Sequence, residues 1–554
     1  MSTLFHSGRI ITMVDQDDAP EAVLVEDGRI AGVGTLEELR ARLAPGATVG
    51  SPGAASAEEV DLQGRTLMPS FIDPHGHLLQ HGRLAALVDL EEARSIDDVV
   101  RAFRERLEQR EAGDNSPLIG AKYDTDLLEE RRHPTREDLD RISTQVPVLA
   151  LHRSMHVGAA NSTVVEAAGI TAETPDPEGA RFGRGPDGTP NGYAEEHAAI
   201  GAFVAAIAPG GQADAGSLLA GAADPADALR LATEDYLRHG ITTAQEGAAD
   251  PGTVSALADA AHAGELPLDL VVYPVARWGA PAREQFADFT GGYVGRLRLG
   301  GYKMILDGSP QARSAWMSEP YEPVPGDEDP GCAYGAHANE QVEEWTRELA
   351  ADGVQLIAHC NGDAAAEQWI RTVERVSSEN PAVLTERPVM IHAQTVRDDQ
   401  LERMAKQGMI ASIFGVHVYF WGDVHLTNFG PRRGRRISPA RSALDRGVRV
   451  TLHQDSPVTP PDMLLTVWAA VNRVSRSGRP VGLEERISTW EALRAVTTEG
   501  AYQYGEEESK GQIREGMRAD LVVLSADPLA TAPDDLRDIQ VLRTIKDGET
   551  VFTA

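Results

Sequence analysis

Between Thr66 and Gln454 the chain repeats one pattern: a short apolar run suited to a buried strand, then a longer amphipathic stretch suited to a helix. The runs are TLMPSFI, GITTAQE, PLDLVVYPV, RLGGYKMIL, GVQLIAH, RPVMIHA, MIASIFGVH and VRVTLHQ. Eight such strands predict an α/β fold in which a parallel sheet closes on itself, a TIM-like (β/α)8 barrel, rather than an open sheet.

The spacing is even except after the first strand, where residues 83–225 intervene before the helix ADALRLATEDYLRHG. So long a connection cannot be a simple crossover, and it has its own strand candidates, SPLIGAKY and PVLALHRS, and a Gly/Pro/Asp-rich loop, PDPEGARFGRGPDGTPNG. It is expected to be an insertion over the barrel mouth. Outside the repeating region, LFHSGRIITMVDQDDAPEAVLVEDGRIAGVG and the closing VLRTIKDGETVFTA are β-rich runs cut by Asp-Gly turns. Residues 1–66 and 506–554 are therefore expected to pair into a small composite β-sandwich, with 67–505 forming the barrel.

Composition excludes several classes. A formal charge of −33 repels phosphate backbones and anionic lipid surfaces, so neither nucleic acid nor membrane is an expected partner. No apolar run approaches the roughly 20 residues of a membrane span, and the first residues, MSTLFHSGRI, lack the pattern of a secretory signal. The two cysteines, Cys332 and Cys360, offer neither a disulfide framework nor a CxxC site, which fits a cytoplasmic protein. A small-molecule substrate is the expected partner, and a homodimer stays open.

In a parallel barrel, side chains at the carboxyl ends of the strands share one cavity. The first strand ends in Asp73-Pro74-His75-Gly76-His77, the fourth carries Lys303, the fifth ends in His359, the sixth in His392 and the eighth in Asp455. Imidazole and carboxylate suit a divalent ion such as zinc. Singly, each has an ordinary reading: H-x-H as two loop histidines, His359 and His392 as core histidines, Lys303 as an ion pair with Asp307 or another carboxylate. Five strand ends bearing such groups make coincidence a poor account of the set.

These motifs resemble the amidohydrolase superfamily, in particular its YtcJ-like branch (amidohydrolase family 3), which includes N-substituted formamide deformylases. The resemblance runs through PSFIDPHGH, LRHGITTAQE, KMILDGS, IAHCNGDAA, VMIHAQTV and GQIREGMRADLVVLSADP. It implies a hydrolase using one or two divalent metal ions, zinc foremost. Carried over by position, it makes His75, His77, His359, His392 and Asp455 metal ligands, with Asp455 also the proton carrier. Lys303 falls where many members carboxylate a lysine to bridge two metals. Glu196 matches a glutamate of the inserted segment, an additional ligand or substrate contact with Glu195 as its rival. His156, His417, Trp421 and His453 are further candidates for substrate contact.

One departure stands out: many relatives read Gly-Ser-Asp before the last ligand, whereas this chain reads His453-Gln454-Asp455. The expected chemistry is attack of an activated water on a linear amide, an N-acyl or N-formyl amine. Hydrolysis of a cyclic amide, carbamate or ester on the same site is the alternative, and a metal-free binding scaffold is a reading of another class. A serine hydrolase is disfavoured because no GxSxG elbow is present.

Overall fold

Nine short strands carry the repeating region: β1 (Phe71–Ile72), β2 (Ile241–Ala249), β3 (Asp269–Pro274), β4 (Leu297–Leu299), β5 (Gly301–Ile305), β6 (Gln355–Cys360), β7 (Val389–His392), β8 (Ile410–Ile413) and β9 (Arg449–Leu452). Nearly all their residues are buried on both faces, so they appear in the sequence as continuous apolar runs rather than alternations. They come from a computed structural model that describes residues 2–43, 58–110, 113–125, 127–152, 157–177, 180–207, 225–324 and 330–554.

All nine pair in parallel, in two arcs ordered β4-β3-β2-β1 and β5-β6-β7-β8-β9. A bridge between Val275 and Lys303 joins β5 to the end of β3. Among the described residues no ladder joins β9 to β1. That seam is crossed instead by the residues beyond the strands: the His77 amide donates to the Ser456 carbonyl at 2.7 Å, and Gln454 Nε2 donates to Asp73 Oδ2 at 3.1 Å. In the second arc the register sets Ile305 opposite His359, Cys360 opposite His392, and Ile413 opposite both His392 and Leu452. The polar residues at these carboxyl ends consequently emerge at one level.

Two of the expected strands are each divided. TLMPSFI breaks at Ser70: Thr66–Pro69 pairs antiparallel with Leu521–Leu524 of the carboxyl-terminal sheet, and only Phe71–Ile72 joins the parallel arc. RLGGYKMIL breaks at its glycine pair. Gly301 has φ +155°, and a Cβ there would lie 1.8 Å from the Gln355 carbonyl oxygen, so only glycine lets β5 approach β6 at this point. Helix ends follow local chemistry. In Pro251–Ala263, for example, the Asp250 side chain caps the Thr253 amide, proline occupies the first turn, and Gly264 ends the helix at φ +74°.

The two chain ends form two sheets. One is ordered Arg29–Gly34, Ala22–Glu26, Ser2–His6, Glu58–Asp61; the other is Arg9–Ile10, Thr66–Pro69, Leu521–Leu524, Val541–Lys546, Glu549–Thr553. Phe5, Val23, Val25 and Ile30 of the first share one core with Leu67, Leu521, Val523 and Ile545 of the second. Lys546 ties this region to the parallel arc through a buried ion pair with Asp269 on β3, at 2.8 Å.

The chain divides into two compact units, Met1–Leu78 with Thr233–Ala554, and Leu79–Ala232. The second unit has a six-stranded mixed sheet in which Val88–Asp89, Leu118–Tyr123 and Val148–His152 run parallel. The segment expected as a Gly/Pro/Asp-rich loop contains a hairpin, Arg181–Arg184 with Pro190–Glu195. Its turn is closed by the Gly185 amide on the Thr189 carbonyl, with Gly188 at φ +82°. No described helix is long and apolar enough to cross a membrane.

Candidate metal centre

The strand ends bring His75, His77 and Asp455 together, with one ligand atom from each lying within 4.8 Å of the others. Asp455 Oδ1 is 3.4 Å from Nε2 of His75 and 3.4 Å from Nε2 of His77, while Oδ2 is 4.0 Å from Nε2 of His392. Lys303 Nζ lies 3.3 Å from His75 Nε2. His359 stands behind this group: its ring is 4.5 Å from that of His392, and its Nε2 is 3.2 Å from the Asn361 side-chain nitrogen Nδ2.

The imidazoles are oriented by what holds their other nitrogen. His75 Nδ1 is 2.5 Å from Gln245 Oε1, and that glutamine's amide nitrogen is committed to the Pro74 carbonyl and the Tyr504 hydroxyl. The glutamine oxygen therefore accepts, Nδ1 carries the proton, and Nε2 presents its lone pair to Asp455 and Lys303. His359 Nδ1 donates to Asp307 Oδ1 at 3.0 Å. Asp307 also accepts from the amides of Asn361, Gly362 and Trp316, so its carboxylate is fully engaged and does not form the ion pair with Lys303 that the sequence left open. His77 Nδ1 faces Glu246 Oε1 at 3.9 Å.

Burial sets the protonation states. It pushes His75 and His392 well below the ordinary imidazole value, with neighbouring Lys303 and histidines adding to the effect, so both imidazoles are neutral at neutral pH. Burial likewise lowers the Lys303 amine to about 7 and raises Asp73 to about 7. For Asp455, burial acts to raise the carboxyl but is outweighed by His77 together with His453 and Lys303, which hold it below its usual value.

A cation fits this donor set. Asp455 Oδ1 is buried and makes no hydrogen bond, an expensive state for a carboxylate oxygen. Its 3.4 Å separations from two imidazole nitrogens exceed the hydrogen-bond range. They match the spacing of two ligands each about 2.1 Å from a tetrahedral ion, which is about 3.4 Å.

The other candidates separate into two groups. His453 and Gln454 are fully buried behind the cluster rather than in an open pocket: His453 Nε2 is 3.1 Å from His392 Nδ1, and Gln454 holds Asp73. His417 is buried too, 2.6 Å from His425 through Nδ1 and Nε2, with half-buried Trp421 against its ring at 4.3 Å. Glu196 follows the strand Pro190–Glu195 of the other unit, at φ +69°; its rival Glu195 is held by Arg181 at 2.6 Å. His156 lies outside the described residues. Sequence reasoning passed over Gln245 and Glu246, although two adjacent polar residues closing the apolar run ITTA were a usable signal.

Two histidines and a carboxylate at the carboxyl ends of parallel strands are the arrangement of a metal-dependent hydrolase, and comparison with known proteins agrees. The chain belongs to the amidohydrolase family, whose model matches residues 58–552, and it is a hydrolase of carbon–nitrogen bonds other than peptide bonds. A second model, the imidazolonepropionase-like composite domain of bacteria, matches residues 22–43. The chain is 30% identical to YtcJ of Bacillus subtilis, a protein named as an amidohydrolase, over 100% of this chain and 99% of that one. It is 28% identical to the N-substituted formamide deformylase of Arthrobacter pascens, over 98% and 96%. A metal-dependent hydrolase of Pyrococcus horikoshii, itself uncharacterized, shares the fold with a TM-score of 0.74 at 22% identity, covering 96% of this chain and 99% of that one.

Proposed function

We propose that the chain hydrolyses a linear amide of the N-formyl or N-acyl amine type, with zinc held by His75, His77 and Asp455, on a barrel closed between β9 and β1 that has eight strand positions when β4 and β5 are counted as one divided strand. The observation that carries the reading is the 3.4 Å spacing of Asp455 Oδ1 from two imidazole nitrogens, with that oxygen outside any hydrogen bond of ordinary length. Closure is supported by the Ser456–His77 and Gln454–Asp73 contacts across the seam. The substrate class is supported by the formamide deformylase relative, which matches along nearly the whole chain.

A divalent cation bound there supplies Lewis acidity, polarising a carbonyl and lowering the pKa of a water from about 15.7 toward 7. His392 and His359, next along the arc, extend the donor set toward a second ion. Asp455 is ionised at neutral pH and takes the proton of the attacking water at Oδ2, the oxygen turned away from His75 and His77. It then delivers that proton to the leaving nitrogen. Lys303 is buried and neutral in a large share of molecules near pH 7, so its Nζ lone pair can attack carbon dioxide. An N–C bond forms, one N–H proton is released, and an anionic carbamate results.

The test is a panel of N-formyl amines, N-acyl amines and cyclic amides presented to zinc-loaded protein. Formate or carboxylate release from the linear amides is expected; turnover confined to cyclic amides would refute the substrate class.

A further inference from the structure

His453 links two other buried side chains in a hydrogen-bonded chain leading into the site. His392 Nδ1 lies 3.1 Å from His453 Nε2, and His453 Nδ1 lies 2.9 Å from Ser412 Oγ. His453 and Ser412 are fully buried and His392 nearly so. Phe414 packs against both rings, at 5.7 Å from His392 and 5.1 Å from His453.

Such a chain has two self-consistent directions. In one, Ser412 donates to His453, His453 donates from Nε2 to His392 Nδ1, and the His392 proton sits on Nε2, facing Asp455. In the other, His392 donates from Nδ1 to His453 Nε2, His453 donates from Nδ1 to Ser412 Oγ, and His392 Nε2 is a bare lone pair. Each ring holds one proton in both directions, so reversal exchanges N–H positions without changing charge. Only the second direction lets His392 bind a cation.

We propose that His453 is a positioning residue that, with Ser412, sets the tautomer of His392 and so decides whether its Nε2 can serve as a ligand. This rests on the metal-site reading above. What matters is an acceptor at the position of His453 Nε2, backed by a hydroxyl able to accept in turn.

The experiment is zinc titration of the metal-stripped full chain against a chromogenic chelator. The variants are His453→Gln, His453→Asn, His453→Ala and Ser412→Ala. A glutamine amide reaches the Nε2 position, whereas an asparagine amide reaches only that of Nδ1. Affinity at the site to which His392 contributes should fall about 10- to 100-fold for asparagine and alanine. It should stay within about threefold of wild type for glutamine, with Ser412→Ala in between. Equal affinities across the His453 series, or equal losses for glutamine and asparagine, would overturn the proposal while leaving the metal reading intact. A wild-type chain that takes up no zinc would overturn both. Thermal transitions of all variants separate packing losses from ligand loss, and Ser412→Ala probes the relay without touching either ring.

Discussion

Replacing Lys303 with methionine in metal-free protein tests whether the strand-end cavity is as strongly desolvating as its geometry implies. The lysine is 1% exposed, and burial lowers its amine from 10.5 to about 7. Between these values the unfolded chain binds the proton more tightly than the folded one, so wild-type stability climbs with pH across that window. Below pH 7 both states are protonated and the whole cost of burying the charge remains. That cost is at most about 5 kcal/mol, at 1.36 kcal/mol per pH unit. It is almost fully present at pH 6 and has fallen to between about 1 and 2 kcal/mol at pH 9.5, a difference of about 3 kcal/mol. Spread over the roughly 400 residues of the unit containing 1–78 and 233–554, at about 2.1 cal/mol/K each, it corresponds to about 4 °C. Calorimetry of chelator-treated wild type and Lys303→Met at both pH values should show the variant gaining about 4 °C more at pH 6 than at pH 9.5. A difference that does not vary with pH would refute the reasoning.

Three further substitutions probe the site and its support. Asp455→Asn should lower kcat by about 10²- to 10⁴-fold in steady-state assays while moving the thermal transition by no more than a few degrees. Asp307→Ala removes the acceptor that orients His359, so zinc affinity should fall about 10- to 100-fold by chelator competition. Asp269→Asn leaves Lys510 and Lys546, at 2.7 and 2.8 Å, without their shared buried countercharge. Because Lys510 keeps Glu506 at 2.6 Å and Lys546 keeps Asp520 at 2.7 Å, that should cost about 1.5–3 kcal/mol and lower the transition by about 2–4 °C, with activity at low temperature retained.

The strand-end residues were legible because each follows an apolar run that could be little other than a buried strand, and parallel strands direct their carboxyl ends to one cavity. The divisions at Ser70 and Gly300-Gly301 were not, since apolar runs on either side look continuous and only pairing partners reveal two strands. His453 stood out as a departure, but its contact is with His392, 61 positions away, which no local pattern encodes. Asp307 raised a similar difficulty. Its nearness to Lys303 in sequence suggested an ion pair, whereas the fold turns it toward His359 and three backbone amides. The hairpin at 181–195 was hidden by glycine and proline content that suits a turn and its flanks alike.

The most direct test of the central claim is metal content measured alongside activity. Purified protein should contain at least one equivalent of zinc or a similar divalent ion, lose amide hydrolysis when stripped, and regain it when the ion is restored. A preparation free of metal yet fully active would contradict the account.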